Sequence, residues 1–187
     1  QILGSHGIGV PKTIYVSNQY TMPFLLEEME PYPIIIKLVS GTQGMGVILA
    51  ENKSNAESIL EAFYATREKV IMQKFIREAK GADIRAFVVD GEIVGAMKRQ
   101  AKPGDFRSNL HRGGTSELIT LTSQEEETAL KSVEILGLKI AGVDMLKTNS
   151  GPVVLEVNAS PGLEGIEGTT GVDIAGKIIS FIEKNRK

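Results

Sequence analysis

The chain has 187 residues, 42% hydrophobic, 24% charged and 5% aromatic, with a net charge of −2. That is enough to bury an aliphatic core, too little for several large domains, and too close to neutrality for a dedicated nucleic-acid binder. Cysteine is absent, which excludes disulfides, thiolate catalysis and cysteine-based zinc sites, and no apolar run reaches the ~20 residues that cross a bilayer.

From the N-terminus, "ILGSHGIGVPKTIYVS" predicts a short helix, a turn at Gly7 to Gly9 and an extended run. "NQYTMPFLLEEMEPYP" allows one or two helical turns, stopped by Pro31 and Pro33. "IIIKLV" (34–39) and "VILAE" (47–51) read as strands on either side of the glycine-rich "SGTQGMG". "NAESILEAFYATR" (55–67) has the spacing of an amphipathic helix, with Ile59, Leu60 and Phe63 on one side, and "VIMQKFI" (70–76) is another strand. "DIRAFVVDGEIVGAMKRQ" forms a hairpin on an Asp90-Gly91 turn, and a polar stretch containing His111 occupies 101–116. "SQEEETALKSVEILG" (123–137) is a second amphipathic helix, with Ser123 and Glu126 at capping-box spacing and Gly137 as its stop. "IAGVDML", the turn "KTNSG" and "PVVLEVN" make a second hairpin, and "GVDIAGKIISFIEKNRK" closes the chain as a helix. Helices between groups of antiparallel strands predict an α+β fold rather than a doubly wound sheet.

The second hairpin carries the most telling residues. A turn near Ser150 sets Asp144 opposite Glu156, Val143 opposite Val157 and Met145 opposite Leu155. Asn158 then lies diagonal to Asp144 on the same face. Two unpaired carboxylates about 5 Å apart repel by roughly 3 kcal/mol at an effective dielectric near 20, so a positive partner is expected. An Asp/Glu/Asn oxygen set suits a hard cation such as Mg²⁺. Arginine or lysine partners, or a solvated sheet edge, are the other readings of the same spacing.

Lys37 ends a strand before a loop holding Gly41, Gly44 and Gly46, whose exposed N–H groups suit anions. The loop lacks the adjacent Lys-Ser or Lys-Thr of a P-loop and the strand-to-helix setting of a dinucleotide fingerprint. It reads as a strand–loop–strand flap over phosphates, or as a plain flexible hairpin. With Asp90-Gly91 as the turn, Asp83 faces Lys98 and Arg85 faces Ala96. Arg99, Arg107, Asn109, His111 and Arg112 add to a cationic region that suits a polyphosphate and an acidic substrate, or forms a salt-bridge network. His111 reads as a structural hydrogen-bonding residue, and no Ser-His-Asp constellation is present.

The stretches "IIIKLVSGTQGMGVILAE", "QKFIREAKGADIRAFVV", "MKRQAKPGDFRSNLHRGG", "AGVDMLKTNSGPVVLEVNASPGLEGIE" and "TTGVDIAGKII" resemble the ATP-grasp domain of the RimK family, the ribosomal-protein glutamate ligases. The resemblance implies an ATP-grasp fold whose two α+β lobes clasp ATP, and Mg²⁺ (with Mn²⁺ as the alternative) on Asp144, Glu156 and Asn158. It places Lys37 on the nucleotide phosphates beneath the flap that contains Gly44, and Lys74 and Phe75 at the adenine. Asp83 becomes a nucleotide-contacting acid, Arg107, Ser108 and Asn109 line the ATP site, and Arg107 is the catalytic cation. Arg85, Arg99 and Arg112 gain a role with anionic substrates.

The implied activity adds L-glutamate to the C-terminus of a small-subunit ribosomal protein through an acylphosphate, in the cytoplasm and without nucleic-acid or membrane partners. A relative joining glutamate or another amino acid to a coenzyme or carrier protein is the alternative, and a non-catalytic nucleotide-binding fragment is an alternative of another class. By the same resemblance 1–33 is a lead-in, 34–75 a smaller flap-bearing lobe and 76–187 a larger one. Family members carry an additional N-terminal domain where this chain begins at Gln1, so nucleotide binding is a firmer expectation here than ligase turnover.

Overall fold

The computed structural model describes residues 1–16, 19–40 and 45–186. It divides into two compact units, Pro11–Ile76 and a larger one made of Gln1–Val10 with Arg77–Lys187. The chain opens with α1 (Ile2–Ser5), which belongs to the larger unit.

The smaller unit runs β1 (Thr13–Val16), α2 (Met22–Glu28), β2 (Ile34–Leu38), β3 (Val47–Ala50), α3 (Lys53–Ala65) and β4 (Val70–Lys74). Its antiparallel sheet has the order β1-β4-β2-β3, so residues 11–33, a lead-in by sequence, supply an edge strand and a helix. Strand alternation explains the division of labour within it. Ile34, Ile36, Val70 and Met72 face Leu26 and Met29 near α2 and Ala56 and Leu60 of α3, while Lys37 and Gln73 lie on the opposite face. Asn52 starts α3 by accepting a hydrogen bond from the Asn55 amide at 2.9 Å, and the helix begins slightly earlier than its apolar spacing suggests. Leu60 is fully buried in this core, and truncating it to alanine costs about 2–5 kcal/mol.

The larger unit continues with β5 (Ala82–Val89), β6 (Glu92–Gln100), β7 (Thr115–Leu118), α4 (Ser123–Ile135), β8 (Ile140–Thr148), β9 (Gly151–Asn158), α5 (Glu164–Thr170) and α6 (Ile174–Lys184). Its antiparallel sheet has the order β7-β6-β5-β8-β9. One face, with Ile84, Ala86, Val88, Val143 and Met145, packs against Ala129 and Val133 of α4. The other is divided along its length. Phe87, Val89 and Met97 pack under Ile166 of α5 and Ile174 of α6, whereas Asp83, Arg85, Arg99 and Asp144 occupy the polar end.

Two β-bulges set this arrangement. On β6 the register slips beside Phe87, where Val94 is the extra residue, so Asp83 pairs with Arg99 and Arg85 with Met97. Both partners lie one residue beyond Lys98 and Ala96, the ones expected from an unbulged hairpin. On β9 the slip falls after Asp144, which keeps Glu156 as its partner, with Val143 opposite Val157 as expected. Met145 then pairs with Val154 instead of Leu155. Residues two apart on a regular strand share a face; the extra residue Leu155 breaks that rule between Val154 and Glu156. Val154 therefore enters the α4-side core while Glu156 and Asn158 share the face of Asp144.

A one-residue correction also applies to α4. Its capping box uses Thr122 and Glu125, with the Thr122 amide donating to Glu125 Oε2 at 2.8 Å. Among the described residues no helix is long and apolar enough to cross a membrane.

Candidate functional site

The polar end of the larger sheet is a continuous chain of charge-assisted hydrogen bonds running from Arg85 to Ser108. Arg99 donates from Nε and one terminal nitrogen to the two Asp83 oxygens, both at 2.7 Å, and again to Asp144 Oδ2 at 2.8 Å. Arg85 forks onto both Asp144 oxygens at 2.7 Å each. The Ser108 hydroxyl adds a bond to Asp83 Oδ2 at 2.6 Å. Asp83, Arg99 and Asp144 are each only 5% exposed, so every charge there needs a partner.

Burial pushes the Asp144 carboxyl up, but Arg85 and Arg99 more than offset it and hold its pKa below the ordinary value. Asp83 goes the other way. Burial dominates there, and Arg99 counters it only in part while the nearby Asp144 charge adds to the rise. The difference follows from Asp144 having two guanidinium partners and Asp83 sharing one.

Beside this chain, Glu156 is exposed opposite Asp144, and Asn158 sits opposite Gly142 with its Oδ1 accepting the Ser160 amide at 2.9 Å. Pro161 folds back over the sheet, where a Cβ on Gly142 would meet it at 3.0 Å. Each carboxylate oxygen has two lone pairs to offer a donor or a cation. Both lone pairs of Asp144 Oδ2 are engaged, by Arg85 and Arg99, whereas Oδ1 accepts one bond and retains one site. Three carboxylates, Asp83, Asp144 and Glu156, stand against the two guanidiniums of Arg85 and Arg99 and leave one net negative charge. The set therefore fits a hard divalent ion in ligand type and charge. It reaches three residues only with Asn158; among the described residues no group of three or more His, Asp or Glu gathers for a metal.

The loop after β6 is fixed by its own side chains. Asp105 Oδ1 accepts from the amides of Phe106 and Arg107 at 2.8 and 3.0 Å and from Arg107 Nε at 3.0 Å. Its Oδ2 accepts from the Arg107 terminal nitrogen at 3.1 Å, and these bonds hold the Asp105 carboxyl well below the usual carboxylate range. Asn109 leads into a short 3-10 turn, Leu110–Arg112, on which His111 is exposed. Arg112 has a buried Nε without a hydrogen-bond partner among the described residues, a state that costs about 1–3 kcal/mol.

In the smaller unit, Lys37 Nζ donates to Gln73 Oε1 at 2.9 Å, and Gln73 Nε2 donates to Thr13 Oγ1 at 2.9 Å. Gln73 is buried and escaped the sequence reading, although a glutamine inside the apolar run "VIMQK" was a visible signal. Asp105 was overlooked in the same way. Lys74 directs its amino group to the carbonyls of Met29 and Pro31, at 2.8 and 2.7 Å, while its amide bonds to Lys12 O. Burial, then the Lys12 charge, lowers its pKa. Phe75 follows directly, half-buried, after β4 ends; Gly44 lies outside the described residues. A cleft of about 310 Å³ at the far end of the β8–β9 hairpin, lined by Gly9, Gln124, Lys131 and Ser150, contains none of these residues.

Residues 1–182 match the RimK-like ATP-grasp domain. A probable alpha-L-glutamate ligase of Thioalkalivibrio sulfidiphilus is 50% identical over 187 residues, covering all of this chain and 62% of the relative. The chain thus spans less than two thirds of that protein's length. The ATP-grasp ligase PsnB, solved with a phosphomimetic variant of its minimal precursor, Mg and ADP, superposes with a TM-score of 0.75 at 23% identity over 100% of this chain and 57% of that one. A RimK domain ATP-grasp protein of Sphaerobacter thermophilus gives a TM-score of 0.73 at 27% identity, over 96% of this chain and 64% of that one. The α+β architecture is the ATP-grasp fold.

Proposed function

The chain belongs to the RimK-like ATP-grasp family, and from that premise we propose that it is an ATP- and Mg²⁺-dependent ligase joining the amine of L-glutamate to an acceptor carboxylate. The names carried by relatives at 50% identity or more support glutamate as the amine substrate. The observation that carries the reading is the Asp83–Arg99–Asp144–Arg85 chain with Glu156 and Asn158 beside it. It keeps a carboxylate ionised deep in the sheet with one coordination site left open.

In this reading Asp144, Glu156 and Asn158 hold Mg²⁺. The ion, when bound, neutralises charge on the phosphoryl group in transfer. Lys37 and Arg107 supply side-chain positive charge to the nucleotide phosphates, and Asp83, Ser108 and Asn109 line the nucleotide site with Lys74 and Phe75 at the base. Arg107 is the catalytic cation, held in its conformation by Asp105. An oxygen of the acceptor carboxylate attacks the γ-phosphorus of ATP, the bond to the bridging oxygen breaks, and ADP leaves. The glutamate nitrogen then attacks the acyl carbon of the resulting acylphosphate. The carbon–oxygen bond breaks, inorganic phosphate departs, and the amine loses its proton. The residues need chiefly to place charge, because phosphate is already a good leaving group.

The acceptor is a carboxylate of a peptide, coenzyme or carrier protein; the C-terminus of a small-subunit ribosomal protein is the narrower version. Incubating the protein with ATP, Mg²⁺, labelled glutamate and each acceptor class, read by intact mass, tests both. One-residue glutamyl increments on an acceptor are expected, and the acceptor that gains them identifies the class. Hydrolysis of ATP with no ligated product from any acceptor would defeat the proposal.

A further inference from the structure

The sequence offers three arginines for anionic substrates, and the structure commits two of them elsewhere. Arg85 holds Asp144, and Arg99 holds Asp83 and Asp144. Arg112 makes neither an ion pair nor a side-chain hydrogen bond to any described residue, and its Nε is buried.

The backbone that presents it is fixed. The Arg112 amide donates to Asn109 O at 3.0 Å and the Gly113 amide to Leu110 O at 2.9 Å. Gly113 has φ +85°, which closes the turn in the left-handed region. Leu110 packs into the cluster of Phe87, Met97 and Ile166. Gly114 is pressed so close to the carbonyls of Ser108 and Gln100 that a Cβ would meet them at 2.7 and 2.9 Å. Arg112 thus projects from a set turn four residues beyond Ser108, which is itself bonded to Asp83. With its backbone anchored and no described side chain or carbonyl accepting from it, the Arg112 guanidinium is open to an acceptor that arrives with a ligand.

We propose that Arg112 binds a substrate carboxylate, which its planar fork can engage with two parallel hydrogen bonds. The inference rests on the ligase reading, which requires two carboxylate-bearing substrates and already places Lys37 and Arg107 on the phosphates. The carboxylate is either that of free glutamate or that of the acceptor.

Arg112→Gln and Arg112→Lys, compared with wild type, test it through separate KM values for L-glutamate, a peptide acceptor and ATP, together with melting temperatures. The KM of one carboxylate substrate should rise roughly 10- to 100-fold in Arg112→Gln, as expected for a lost charge-assisted pair. Arg112→Lys should recover only part of it, because a point charge cannot reproduce the fork. ATP affinity should hold and the melting temperature should not fall, since the side chain has no described partner to lose. Whichever KM rises names the source of the carboxylate. Unchanged KM values for both, or a rise confined to ATP, would overturn the assignment. If wild type forms no ligated product, the ligase reading fails, and calorimetry with L-glutamate and, separately, with the peptide acceptor, in the presence of ADP and Mg²⁺, still reads Arg112. Binding of either by wild type that disappears in Arg112→Gln supports the site, and binding of both that is absent or identical rejects it.

Discussion

Arg99→Met removes the cation shared by two buried carboxylates while approximately keeping side-chain volume. Asp144 retains both Arg85 bonds, but Asp83 keeps only the Ser108 hydroxyl. Removing one partner of a buried ion pair costs about 3–5 kcal/mol. A separate ceiling applies, because Asp83 can take up a proton instead of remaining ionised. Protonating a carboxyl of ordinary pKa near 3.9 at pH 7 requires about 4 kcal/mol, so the loss at pH 7 should not exceed that by much. The same reasoning fixes the pH dependence. In the variant, folded Asp83 is protonated where the unfolded chain is ionised, so the folded state binds more protons and stability falls as pH rises. The destabilisation should shrink by up to about 2.7 kcal/mol between pH 7 and pH 5, at 1.36 kcal/mol per unit. Urea denaturation of both proteins at the two pH values measures it, and adding Asp83→Asn to the variant should restore most of the loss at pH 7. A loss that is the same at both pH values and unaffected by Asp83→Asn would refute the shared-cation account.

Asp144→Asn and Glu156→Gln should separate, because the first carboxylate is buried between two arginines and the second is exposed. Both should weaken Mg²⁺-dependent ATP binding by calorimetry, but only Asp144→Asn should lower stability, by about 3–5 kcal/mol against less than about 0.5 for Glu156→Gln. Lys37→Ala should weaken ATP binding by about tenfold or more with little change in melting temperature, since a neutral side chain cannot attract phosphate oxygens. Asp105 is held below its ordinary pKa by Arg107, so its contribution is complete above about pH 4 and is lost as pH falls through the depressed value. Asp105→Asn should therefore flatten the acid limb of the stability curve below pH 4, as followed by circular dichroism.

Strands and helices with strong periodicity were legible from the sequence, as the β5–β6 and β8–β9 hairpins and the apolar side of α3 show. The Asp144–Glu156 pairing followed from turn position alone. Bulges did not, because one extra residue leaves no mark in an apolar run such as "EIVGAM", yet the slip at Val94 decides whether Lys98 or Arg99 meets Asp83. β7 was missed because "TSEL" is an exposed edge strand without alternation. α5 was missed because "EGIEGTT" is poor in helix formers and is held mainly by burial of Ile166. Repulsion between Asp144 and Glu156 requires a positive partner, but spacing does not reveal that Arg85 on β5 and Arg99 on β6 provide it.

The central claim is that ATP activates an acceptor carboxylate by phosphorylating it, and an oxygen label tests this most directly. An acceptor whose carboxylate carries heavy oxygen is incubated with the protein, ATP, Mg²⁺ and L-glutamate, and the released phosphate is analysed by mass spectrometry. One labelled oxygen should appear in inorganic phosphate for each amide bond formed, because the acyl carbon–oxygen bond breaks when the amine attacks. Ligated product accompanied by unlabelled phosphate would contradict the account.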